Sequence, residues 1–188
     1  MNASLFDKFP EIDIDEKIYL RQLRTSDARQ YYEYLSDPKV NRYISDDDIP
    51  SSQKSAEQEL SYWIELFNYK RSFYWGIAKK DTDTIIGTCG FNNWSKTHAR
   101  AEISYDLARK SWGKGIMTKS MQSVCDFAFG AMGVKRIQAT VAHDNLPSIK
   151  LLKRLNFTNE GSMRSYGILH GTPKDFYMMS LLYSDLSF

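Results

Sequence analysis

Two glycines one residue apart stand out in the run Leu107-Ala108-Arg109-Lys110-Ser111-Trp112-Gly113-Lys114-Gly115-Ile116-Met117-Thr118. The run separates an alternating segment from a long amphipathic one, so it reads as a loop that opens a helix. Glycines at 113 and 115 let backbone N–H groups approach an anion with no Cβ in the way. The helix that follows adds its unpaired N–H groups and the positive end of its dipole. A phosphate-bearing ligand is the natural guest. Two phosphate motifs are excluded by spacing. A Walker loop needs Gly-x-x-x-x-Gly-Lys-Ser/Thr, and a dinucleotide fingerprint needs a third glycine where Thr118 stands. A lone Gly-x-Gly also serves as plain turn chemistry, so both readings stand at this point.

The elements that must hold this loop follow from periodicity. Ile18 to Leu23 alternates as a strand. Thr25-Ser26-Asp27 offers N-cap chemistry for a helix through about Leu35, with Pro38 just beyond it. Asp46 to Pro50 is an acidic loop, and Ser51 or Ser52 caps a second helix carrying Leu60, Trp63, Ile64 and Phe67 at helical spacing. Strands are predicted around Phe73–Ile77, Ile85–Phe91 and Ala101–Leu107. After the glycine loop, Met117, Met121, Val124, Cys125 and Ala128 form one helix face, ended by Gly130 and Gly133. A strand at Ile137–Val141, a short helix from Asn145 to Leu155 and a strand from Phe157 follow. Phe176 to Tyr183 is nearly continuous apolar sequence, as in a strand covered on both faces. The order β-α-α-β-β-β-α-β-α-β-β predicts an α/β (α+β) fold: a mixed sheet with helices on both faces.

Composition bounds the rest. The 188 residues suit one domain, 1–188, with a lead-in over 1–16 and a core over about 17–185. Hydrophobic residues at 42% mark a chain that folds, yet no apolar run approaches the roughly 18–20 residues that span a bilayer, so no membrane is expected. Met1 to Pro10 lacks the layout of a signal peptide. Cys89 and Cys125 lie in apolar stretches without metal spacing, as reduced core residues would, and imply a cytoplasmic protein. The net charge of +2 is too small to imply nucleic acid. His98, His143 and His170 share no ligand spacing, so no metal is expected.

Further segments accompany the glycine loop. Ala101-Glu102-Ile103-Ser104-Tyr105 precedes it. Asn145-Leu-Pro-Ser148 is followed by Leu152-Lys-Arg-Leu155-Asn156-Phe157, then by Glu160-Gly161-Ser-Met-Arg164 and Asp175. In this order they resemble the GNAT superfamily of N-acetyltransferases, in the branch similar to RimJ/RimL protein acetyltransferases. The branch reads Ala-Glu-Ile-Gly-Tyr at the strand, Gln/Arg-x-x-Gly-x-Gly/Ala at the loop and Asn-x-x-Ser at the next helix. Leu20-Arg21 and Asp27 fit its opening. Lys110 stands where Gln or Arg is usual and keeps the charge without the planar fork. Asn156 replaces a glycine and still tolerates left-handed geometry.

The resemblance implies a strongly twisted GNAT-like sheet that binds acetyl-CoA as acyl donor, through residues 107–110 and 112–118 with Asn145 and Ser148. Its geometry splays the strand carrying Glu102 from the one carrying Val141. Backbone groups near Leu107 would then hold the pantetheine arm and polarise the carbonyl. The implied reaction is direct attack by a primary amine, with no covalent enzyme intermediate. Glu102 is the candidate base, acting through water, or a solvated carboxylate paired with Arg100. Tyr105 either lines the cleft or fills core. Ser148 either meets the leaving thiolate or satisfies N–H groups in its helix turn. Many relatives place a tyrosine where this chain has Leu152, and RimL-like enzymes a glutamate where it has Gly167. Asp46, Asp47 and Asp48 either attract a cationic amine or form a solvated loop, and Lys114, Lys119, Lys150, Lys153 and Arg154 either reach the phosphates or are surface charges. The expected acceptor is a protein or peptide amine. A small amine (polyamine, amino sugar or antibiotic) and a non-catalytic acetyl-CoA-binding module are the alternatives, in a monomer or homodimer.

Overall fold

The computed structural model describes residues 3–186. Among them are eight strands: β1 (Ile12–Asp13), β2 (Ile18–Gln22), β3 (Tyr74–Lys79), β4 (Ile85–Ser95), β5 (Arg100–Leu107), β6 (Arg136–Ala142), β7 (Thr158–Leu169) and β8 (Thr172–Leu182). Four helices join them: α1 (Ala28–Leu35), α2 (Gln53–Asn68), α3 (Ile116–Gly130) and α4 (Leu146–Arg154). The strands form one mixed sheet in the order β1-β2-β3-β4-β5-β6-β8-β7. Only β5 and β6 run parallel, joined by the α3 crossover as parallel strands require.

Two buried clusters lie against this sheet. Tyr31, Tyr34, Leu35 and Leu60 of α1 and α2 pack with Leu23, Tyr74 and Ile85. Met121, Val124 and Cys125 of α3 and Leu152 of α4 pack with Cys89, Ile103, Ile137 and Val141. The Ser52 side chain caps α2, accepting from Ser55 N at 3.2 Å. Asn156, at φ 63°, ends α4 in the left-handed geometry read from the sequence.

Local sequence is overruled at three places. Asp27 is the N-cap residue of α1, but its side chain caps none of that helix's N–H groups: it accepts from Arg24 N at 2.9 Å and grips the buried guanidinium of Arg21 with two 2.8 Å bonds. Asp83 Oδ1, Asp83 O and Gln22 O take the remaining Arg21 donors, so all five are satisfied. The polar lead-in is not idle. It supplies β1, its Phe9 is buried, and Pro10 O accepts from Trp75 Nε1 at 2.7 Å. The β8 run is covered on both faces only around Met179–Leu181. Its first half is partly exposed, because β7 beside it stands largely in solvent.

Candidate active site

The cleft arises from how little β5 and β6 pair. Their ladder covers only Arg100–Arg136, Ala101–Ile137 and Glu102–Gln138. Beyond it β5 stays with β4 as far as Leu107, while β6 stays with β8 as far as Ala142, so the two strands part. A cleft of about 890 Å³ opens in the fork. Its walls include both strands, the α1–α2 connection, the start of α3, the first turns of α4 and the Tyr166–Leu169 end of β7.

Strand alternation sends neighbouring β5 side chains to opposite faces. Glu102 stands at the last rung of the ladder, where Thr140 Oγ1 donates to it at 3.3 Å and Gln138 Nε2 at 3.4 Å. Tyr105 points to the other face, and its hydroxyl lies 2.5 Å from Ser148 Oγ on α4. Burial pushes the Tyr105 phenol well above its ordinary range, so it keeps its proton. Leu152 is fully buried core. The hydroxyl at this wall therefore comes from β5 and from Ser148.

The glycine loop has the shape read from the sequence. Gly113 and Gly115 both take φ 73°, and a Cβ at either would meet no protein atom within 4 Å. Gly115 precedes α3 without a side-chain cap. The first bond of that end runs from Lys119 N to Gly115 O, at 3.1 Å. Among the described residues, no side chain or carbonyl accepts from the N–H groups of 113–118. Uncovered donors beside open space fit a diphosphate. The same segment contributes Trp112, Ile116, Met117 and Thr118 to the cleft.

Other candidate positions are already engaged. Trp112 Nε1 donates to Leu107 O at 2.7 Å, which occupies one lone pair of a carbonyl expected to hold the pantetheine arm. Lys114 Nζ donates to Lys110 O, so these two close the loop on itself. Arg109 lies 3.9 Å from Asp37, Ala108 packs against core, and Lys119 pairs with Asp15. Ala108, Arg109, Lys110 and Lys114 do not line the cleft, whereas Arg154 does. Asn145 lines it too, but its side-chain oxygen caps α4, accepting from Ser148 N at 3.3 Å. At Gly167 a Cβ would press on Phe176 at 3.0 Å, so the cleft wall there is aromatic rather than acidic.

The acidic run divides. Asp46 pairs with His170 of the β7–β8 turn at 2.8 Å, and Asp48 lines the cleft. Burial and the neighbouring Asp47 raise the Asp48 carboxyl. The sequence reading missed Asp106, whose carboxylate accepts from Thr88 N at 3.1 Å and Thr88 Oγ1 at 2.5 Å. Burial pushes it up to about 6. It also missed Asn92, Ser104 and Tyr74, on the same face. Period-two alternation from Glu102 points to Ser104 and Asp106, and the serine replacing the branch's glycine was a further signal. Cys89 and Cys125 are buried free thiols. Among the described residues no group of three or more His, Cys, Asp or Glu could hold a metal, and no helix is long and apolar enough to cross a membrane.

Known proteins match this architecture throughout. The family description "Acetyltransferase (GNAT) domain" fits residues 17–158. The N-acetyltransferase p20 of Bacillus licheniformis is 38% identical over 168 residues, 89% of this chain and 93% of the relative. YoaA, an N-acetyltransferase of Bacillus subtilis (strain 168), is 33% identical over 174 residues, 93% of this chain and 97% of the relative. The solved RimL ribosomal alpha-N-protein acetyltransferase in complex with coenzyme A superposes with a TM-score of 0.84 at 21% identity, over 92% of this chain and 98% of that one. A fork between parallel strands, a bare glycine loop at a helix start and these matches lead to one conclusion: the chain belongs to the GNAT acetyltransferase family and is an acetyl-CoA-dependent N-acetyltransferase.

Proposed function

We propose that the acceptor is the α-amine of a protein or peptide N-terminus. One observation carries the reading: Glu102 and the Tyr105–Ser148 pair lie on opposite faces of a sheet that is split between them. An amine approaching from the Glu102 face and a thioester reaching in from the α3–α4 face would meet in the fork. The description of RimL as an alpha-N-protein acetyltransferase supports this acceptor class.

Bound acetyl-CoA supplies an activated acetyl group, with its diphosphate on the N–H groups of 113–118. Glu102 takes the amine proton through water, held in place by Thr140 and Gln138. At pH 7 roughly a tenth of an α-amine of pKa about 7.7–8.0 is already neutral, against about 0.04% of a lysine near 10.4. An α-amine therefore asks far less of the base than a lysine does. Ser148 donates to the departing sulfur while Tyr105 donates to Ser148. A phenol raised by burial is a poor acid toward a thiolate, so the pair stabilises the charge by hydrogen bonding rather than by outright proton transfer. Asp48 at the cleft wall favours a second reading, a small polycationic amine.

Thiol release from acetyl-CoA with a panel of peptides, polyamines and aminoglycosides tests the acceptor. The expected order places peptides with a free N-terminus first, and N-terminally blocked peptides inactive. Polyamines or aminoglycosides exceeding every peptide in kcat/KM would replace this reading.

A further inference from the structure

A second polar device lies on the Glu102 face of the cleft. β4 pairs Phe91 with Ile103 and Asn93 with Glu102, which leaves Asn92 as the extra residue of a β-bulge. A bulge re-aims the side chain it carries. Phe91 before it is fully buried, whereas Asn92 is exposed and lines the cleft, next to the row that holds Glu102.

Its amide does not rotate freely. Ser104 Oγ donates to Asn92 Oδ1, and the Tyr74 hydroxyl meets Ser104 Oγ at 2.7 Å. Ser104 has a single proton. Spending it on Asn92 makes Ser104 the acceptor from Tyr74. Tyr74 is itself fixed, since its ring stacks on Trp63 with centroids 4.0 Å apart and planes 15° apart. Gly90, its rung partner, makes room for it. A Cβ there would stand 2.6 Å from Tyr74 Cδ2. With its oxygen held by Ser104, the Asn92 amide turns its nitrogen, two N–H donors, away from that bond. Among the described residues the nitrogen donates to no protein group.

We propose that the Asn92 amide nitrogen binds the carbonyl oxygen next to the reacting amine, so that the acceptor is an α-amino carbonyl compound. A polyamine carries no such oxygen and a lysine side chain holds none near its amine, whereas every peptide N-terminus has one three bonds from the nitrogen. The inference rests on the proposed acetyl acceptor site and sharpens its class. Ser104 and Tyr74 act as positioning residues for the amide.

The test uses three acceptors with the full-length enzyme: an alanine-starting tetrapeptide, alaninamide and 1-aminopropane, each compared at equal concentrations of neutral amine. Asn92→Asp is the informative variant, because a carboxylate still accepts from Ser104 but offers an acceptor where donors stood. It should raise KM for the tetrapeptide and alaninamide about tenfold, the scale of one lost hydrogen bond. Values of kcat should stay within about twofold, and 1-aminopropane should be no worse a substrate than before. Ser104→Ala, which frees the amide to rotate, should raise the same two KM values by a smaller factor. Unchanged KM for both carbonyl acceptors in Asn92→Asp, or equal losses on all three amines, would overturn the inference. Wild-type turnover of alaninamide but not of the tetrapeptide would leave the carbonyl subsite standing and remove the peptide reading instead.

Discussion

Asp106 offers a prediction whose sign is set by burial. Its carboxyl is pushed up to about 6 from an ordinary 3.8, first by burial and against the opposing pull of two Thr88 bonds. A folded-state value above the unfolded one means the native protein binds the proton more tightly. The group's contribution is therefore fully present below about pH 4 and is lost as pH rises through 6. About two pKa units at 1.36 kcal/mol each make the ionised carboxylate cost about 3 kcal/mol at pH 7. Asp106→Asn keeps an oxygen for Thr88 N and never ionises. Urea unfolding of both proteins at pH 4, 5.5 and 7 isolates this group and the nearby Glu59 that feels its charge, because titrations not coupled to Asp106 cancel in the difference. The variant should gain on the wild type as pH rises, by up to about 3 kcal/mol between pH 4 and 7, with unchanged m values. Stability curves that run parallel across that window would mean that the Asp106 carboxyl is not raised by burial.

Other consequences are as direct. Arg21→Met leaves Asp27 buried without its fork and should destabilise the fold by about 3–5 kcal/mol in urea, while Asp27→Asn should cost less. Tyr105→Phe and Ser148→Ala should each lower kcat about 10- to 100-fold, the worth of a hydrogen bond to a charged group, with acetyl-CoA affinity retained. The double variant should fall little further, since the two hydroxyls act as a unit. Glu102→Gln should lower turnover mainly below the amine's pKa, where a proton must be removed. An unchanged pH–rate profile would take Glu102 out of the base role.

What was legible in the sequence was what local rules determine. The glycine loop, its helix and the left-handed Asn156 follow from backbone sterics, and each stands as read. Glu102, Tyr105 and Ser148 were named as candidates, yet nothing local says that Tyr105 and Ser148 touch across 43 positions. That contact depends on the fork, and the fork depends on a ladder that stops after three rungs. Asp27 does sit at the N-cap of α1, but its carboxylate serves Arg24 N and the Arg21 guanidinium rather than that helix, and local sequence does not show the guanidinium. The β8 run looked covered on both faces because apolar sequence does not say whether it lines core or cleft. Part of that apolar surface serves the cleft, where Phe176 joins Tyr166 and Ile168.

Acyl-donor binding is expected to depend on the loop at 113–115 as the seat of the diphosphate. Calorimetric titration of acetyl-CoA into wild type, Gly113→Val and Gly133→Val tests this while controlling for backbone strain. Gly113 and Gly133 have nearly equal φ, 73° and 70°, but only Gly113 lines the cleft. Wild type and Gly133→Val should bind alike, with Gly113→Val weaker by about 100-fold or more, roughly 2.8 kcal/mol. Equal affinity in Gly113→Val and wild type would mean that the diphosphate is held elsewhere.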